Sequence, residues 1–88
     1  MAIQIISATV NHRDPDYSAI ITKTSIDNGP VESLGVILRE GRDDPEGWRP
    51  TGNGTNAPLP NDLAIALHEA LDAQYPDMVE SELERICS

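Results

Sequence analysis

Phenylalanine is absent from this chain, and tyrosine and tryptophan supply only three rings in 88 residues: Tyr17, Trp48 and Tyr75. The core therefore has to be assembled from Ile, Leu, Val and Ala. Residues 1–88 make one domain, and a domain of this size buries about 60% of the surface its unfolded chain exposes. Such a core is thin, and a homodimer is one way to supplement it. The single cysteine, Cys87, excludes an internal disulfide and suits a reducing cytoplasm. At a helix end, it is expected to pack partly on the core. No apolar run is long enough to span a membrane, and "MAIQIISATV" lacks the basic flank of a secretory leader. Neither a membrane segment nor a signal peptide is expected.

Cations are scarce as well. Six Lys and Arg stand against fifteen Asp and Glu, a net charge of −9. Binding phosphates needs clustered Lys and Arg, so direct contact with nucleic acid or an anionic membrane surface is not expected. A basic protein surface is the complementary partner; simple solubility is the other purpose such acidity serves. The excess is uneven: residues 61–88 hold seven acids and one base, Arg85, and so carry six of the nine excess charges.

What is present is β-branched at the start and helical at the end. In "IQIISATV", residues 3 to 10, Ile6, Ala8 and Val10 alternate with Ser7 and Thr9, the pattern of a half-buried strand. "RDPDY" supplies a turn, and "YSAIITKTSI", residues 17 to 26, a second strand with Ile20, Thr22 and Thr24 on one side. After "DNGP" comes "VESLGVILREG". Val31, Leu34, Ile37 and Leu38 also fit a helical face, but Gly35 and the compact "GVIL" favour a third strand over residues 33 to 40.

At the far end, "PNDLAIALHEALDAQYP" predicts a helix with Asn61 as N-cap, Leu63, Leu67, Ala70 and Leu71 inward, and Pro76 as its stop. His68 reads as a solvated helix residue. "DMVESELERICS" predicts a second helix, capped by Asp77 with Glu80 at the capping-box position, and with Val79, Leu83 and Ile86 on one face. The expected fold is α+β: a three-stranded antiparallel β-meander, a long Gly/Pro-rich loop, and two C-terminal helices packed on one face of the sheet.

The tract between, "GRDDPEGWRPTGNGTNAPLP", holds four glycines, four prolines and the tryptophan. Connectors longer than about 12–15 residues are often functional or disordered. An extended ribbon across the sheet edge is the other reading that ends this rich in Pro and Gly allow. Trp48 has two readings: a plug for a core short of large side chains, or, with Arg49, an anchor for a partner.

No catalytic or cofactor pattern emerges. Asp43, Asp44 and Glu46 lack the alternating ligands of a calcium loop, and "GNG" lacks the third glycine of a nucleotide fingerprint. His12, Asp14 and Asp16 are better explained as a soluble hairpin tip than as a metal site. No serine or cysteine sits in a recognisable nucleophile motif. The expectation is a protein that is not an enzyme and carries no cofactor or metal.

The acidic helices give the sharpest lead. Ile65, His68, Glu69 and Asp72 fall opposite the core face of the first helix. Glu80 and Glu84, one turn apart on the second, repel each other by a few tenths of a kcal/mol, about the i,i+4 magnitude. One reading is a solvated helix pair. The other is a carboxylate face that imitates DNA phosphates and docks on a basic groove, with Ile65, Glu69, Asp72, Glu80 and Glu84 as its contacts and Trp48 and Arg49 as a second one. In size, acidity and α+β design the chain resembles the small acidic proteins with which phages block host nucleases, CRISPR effectors or polymerases. This likeness is of general character and is carried by no particular motif. It implies an inhibitor or modulator that occludes a larger, nucleic-acid-binding protein. The alternative is a self-assembling accessory subunit using a strand edge or the helix pair.

Overall fold

The computed structural model describes residues 1–39 and 45–87. Within these residues the chain forms β1 (Ile3–Arg13), β2 (Tyr17–Ile26), β3 (Val31–Arg39), β4 (Glu46–Pro50), β5 (Asn56–Pro58), α1 (Asn61–Gln74) and α2 (Pro76–Cys87). The strands make one antiparallel sheet in the order β1-β2-β3-β4-β5, and both helices pack against it. The α+β class is as expected, but the sheet has five strands rather than three. The two extra strands come from the tract read as a loop. Gly52 and Gly54 adopt φ of 90° and 75°, and Thr51 N–H donates to Thr55 O at 3.1 Å, so the chain reverses into a hairpin instead of wandering. β3 starts at Val31, two residues earlier than expected; its expected end at residue 40 and the aspartates at 43 and 44 lie outside the described residues.

Alternation decides which face is buried. Ser18, Ile20, Thr22 and Thr24 of β2 and Leu34, Val36 and Leu38 of β3 are all buried, so this side of the sheet faces the helices. It meets Leu63, Ala64, Leu67 and Leu71 of α1, Val79 of α2, and Leu59 at the end of the former loop. The buried hydroxyls are satisfied: Thr22 Oγ1 donates to Leu34 O at 2.9 Å, so in the 2.7 Å contact with Thr24 the donor is Thr24.

Two β-bulges in β1 alter the expected alternation. Ile5 pairs with Thr24 and Ser7 with Lys23, so Ile6 is the extra residue. The bulge puts Ile5 in the core and leaves Ile6 exposed, correcting the expectation that Ile6 faces inward. The second bulge spares Asn11: Val10 pairs with Ile20, but His12 pairs with Ala19 and Arg13 with Ser18. Regular pairing would turn His12 towards the helices. The bulge turns Arg13 there instead.

The helix ends differ slightly from their sequence signals. Pro60 is the N-cap of α1, in an extended conformation with ψ 146°, and its carbonyl accepts Ala64 N–H at 2.9 Å; Asn61 is already helical. Pro76 ends α1 by forcing Tyr75 out of helical geometry (φ −132°, ψ 56°), then opens α2 as its first residue. Asp77 therefore lies inside the first turn rather than capping it, and Glu80 stands too far along to serve a capping box.

Candidate functional site

The acidic helical surface is built over a polar contact under α2. Val79, Glu82, Leu83 and Ile86 occupy i, i+3, i+4 and i+7, so Glu82 sits on the inward stripe and is only 5% exposed. A buried carboxylate needs charge-assisted partners. Arg13, turned inward by the second bulge, supplies Nε at 3.1 Å and Nη2 at 3.2 Å, and Ser18 Oγ donates at 2.7 Å. Arg85 lies one turn on, with Nε 3.5 Å from Glu82 Oε1, while its Nη2 donates to Tyr17 O at 2.9 Å and Ser18 Oγ at 2.7 Å. The Arg13 hydrogen bonds hold the Glu82 carboxyl below the usual carboxylate range. Burial opposes them, while Ser18 and the two guanidinium charges act with them. The sequence reading left Glu82 unassigned. The signal was present, since it is the one charged residue on the apolar stripe of α2.

This contact consumes the only base of the helices. Arg85 is turned to the sheet, and Glu82 is neutralised there. Asp62, Glu69, Asp72, Asp77, Glu80 and Glu84 are the helical carboxylates outside it. Every other Lys and Arg among the described residues also has an internal partner. Lys23 Nζ donates to Ser33 Oγ at 2.8 Å, Arg39 pairs with Glu46 at 2.7 Å, and Arg49 pairs with Glu32 at 2.8 Å.

Five of the seven residues singled out from the sequence belong to this helical side. Asp72, Glu80 and Glu84 line one groove of about 500 Å³ between the end of α1 and α2. Its floor is apolar: Pro76, Val79, Leu83 and the Cys87 side chain. Glu69 is exposed one turn back from Asp72, and Ile65, 39% exposed, one turn before that, so the three form a single stripe on α1.

Trp48 and Arg49 are not brought to the same place. Trp48 lies opposite Gly35 in the β3–β4 register, and its indole occupies the space where a Cβ at Gly35 would stand. Gly35 falls between the inward-facing Leu34 and Val36, so the half-buried indole lies on the sheet face away from the helices and does not plug the core. Arg49 is held by Glu32.

Other sequence leads resolve as structure. His68 Nε2 lies 2.8 Å from Glu46 O, tying α1 to β4, so it is half-buried rather than merely solvated. Cys87 is exposed, not packed on the core. Asp14 Oδ1 accepts Asp16 N–H at 3.0 Å as a turn residue, and the His12 ring lies against Tyr17 at 6.0 Å between centroids. Among the described residues no three His, Cys, Asp or Glu side chains gather as a metal would require, and no helix is long and apolar enough to cross a membrane. No protein-family model matches the chain, and no curated protein or solved structure matches it.

Proposed function

We propose that the protein is a non-enzymatic binding module that docks its outward helical face on a basic surface of a larger protein and blocks that surface sterically and electrostatically. The observation that carries this reading is the inward turn of Arg85, the one Lys or Arg of the two helices, which leaves the exposed carboxylates Glu69, Glu80 and Glu84 on their outer side. Exposed carboxylates spaced along helices complement clustered Lys and Arg, and they steer approach as well as contact. A surface that binds nucleic-acid phosphates has that clustered chemistry, so a nucleic-acid-binding protein is the favoured target class.

Self-assembly through a strand edge has less behind it. Gln74 closes the start of the β1 edge as a neighbouring strand would: its Oε1 accepts Ile5 N–H and its Nε2 donates to Ile3 O, each at 3.0 Å. Two bulges interrupt the rest of that strand.

The test is a tagged capture from nuclease-treated bacterial lysate, with the parent beside a Glu69→Lys/Asp72→Lys variant whose circular dichroism matches it. A nucleic-acid-binding protein retained by the parent, lost by the variant and hindered in its own nucleic-acid binding is the expected result. Identical capture by both proteins overturns the reading.

A further inference from the structure

We infer that the groove between the end of α1 and α2 receives an apolar side chain from a basic, helical segment of the partner. This rests on the docking reading above and specifies how the contact is made: the partner inserts into this protein, and the carboxylates are the rim of that insertion rather than the whole of it.

Three features carry the inference. The groove floor is Pro76, Val79, Leu83 and Cys87, and a volume of about 500 Å³ is in the range that accommodates a large side chain with its neighbours. An apolar floor gains nothing from a purely ionic ligand; it is filled by hydrocarbon. The rim is Asp72, Glu80 and Glu84. It repels anions and selects an apolar group that arrives between cations.

The rim spacing points to a helix. Glu80 and Glu84 stand one helical turn apart on α2, which matches Lys or Arg one turn apart on a helix lying alongside. Glu80 is also released from the capping role its sequence position suggested, because α2 begins at Pro76.

Among the described residues, a second copy of this chain offers this groove no cluster of unengaged Lys and Arg. Each of its described Lys and Arg side chains already contacts a partner within its own chain: Arg13 and Arg85 at Glu82, Lys23 at Ser33, Arg39 at Glu46 and Arg49 at Glu32. Two copies meeting at this groove would bring carboxylates to carboxylates.

The experiment uses the full chain and two fluorescein-labelled peptides of about eighteen residues, long enough to be helical on contact. One carries leucines at helical spacing among lysines. The other has the same lysines with serine in place of each leucine. Binding is read by fluorescence anisotropy, and groove occupancy by the rate at which iodoacetamide alkylates Cys87, which is exposed and lines the groove. The leucine peptide should bind at least about tenfold tighter than the serine peptide and slow alkylation by a similar factor; a Glu80→Gln/Glu84→Gln variant should lose about tenfold of that binding, since a pair of charge-assisted contacts is at stake.

Equal binding of the two peptides with unchanged alkylation overturns the groove while leaving acidic-face docking standing. Tight binding that the Glu80→Gln/Glu84→Gln variant keeps in full overturns the rim. Binding of neither peptide overturns the insertion, and the lysate capture then judges the docking reading separately.

Discussion

Arg13 of β1 and Glu82 of α2 meet through a two-pronged contact, Nε to Oε1 at 3.1 Å and Nη2 to Oε2 at 3.2 Å. The contact fixes the second helix on the sheet and, by engaging Arg85 as well, sets the charge of the outer face. Arg13 is itself 57% exposed at its side chain, so the pair is buried on one side only. Glu82→Gln should therefore cost about 1.5–3 kcal/mol near neutral pH, the range for hydrogen bonds to charged groups, rather than the larger loss of a fully buried pair.

The same substitution has a pH signature. Glu82 titrates lower in the folded chain than in the unfolded one, chiefly because Arg13 bonds its charged form. Its contribution to stability is therefore complete above the unfolded carboxylate value of about 4.3 and is lost as pH falls through the lower, folded value. Urea midpoints of parent and Glu82→Gln should differ clearly near neutral pH and converge in strong acid. A constant difference across that range would contradict the assignment.

Asn11 is the extra residue of the second bulge, so deleting it should make the pairing regular while keeping His12 opposite Ala19 on the open face and Arg13 opposite Ser18 towards the helices. The deletion should therefore leave the Arg13–Glu82 contact in place, and the double variant with Glu82→Gln should match the sum of the two single effects to within about 0.5 kcal/mol. Asn11→Gly, which keeps the bulge, should stay within about 1 kcal/mol of the parent. A shortfall of about 1 kcal/mol or more from the sum of the deletion and Glu82→Gln would show that Arg13 leaves Glu82 when the bulge is removed.

Gly35→Ala places a methyl group where the Trp48 indole lies. The ring must move off the strand, which should red-shift Trp48 emission and cost about 1–3 kcal/mol, as overpacking does. Binding by the helical face should be unaffected, because the indole lies on the other side of the sheet. An unchanged emission maximum would show that the indole is not held there.

Much of this architecture was legible in the residues. The 3.6-residue period of α1 identifies its buried side, and Pro76 marks the junction between helices; the period of β2 groups Ile20, Thr22 and Thr24 on one side but does not say which side is buried, since Ala19 and Ile21 lie on the other. The bulges were not legible: Ile5 and Ile6 are the same residue type, so nothing local says which one is spared. β4 and β5 were hidden by the composition that makes their hairpin, since Gly52 and Gly54 serve a turn while Trp48 pairs with Pro58 and Arg49 with Ala57 across it. The acidic stripe of Ile65, Glu69 and Asp72 followed from helical spacing alone, whereas its groove did not. That groove depends on the sharp corner at Tyr75, which brings Asp72 to the same opening as Glu80 and Glu84. Trp48 was read from its type, as a core plug or an anchor, when its neighbour Gly35 decided its place.

The central claim is that the carboxylates of the outer helical face make the contact with a basic partner. Its most direct measurement is calorimetric titration of the captured partner with parent and with Glu69→Lys/Asp72→Lys, repeated from about 50 to about 200 mM salt, across which the Debye length shortens to roughly 7 Å. The account predicts that charge reversal weakens binding by at least about tenfold and that the parent's affinity falls steadily with salt, as screening of solvent-exposed charge pairs and of steering requires. Equal affinities for the two proteins, indifferent to salt, would contradict it.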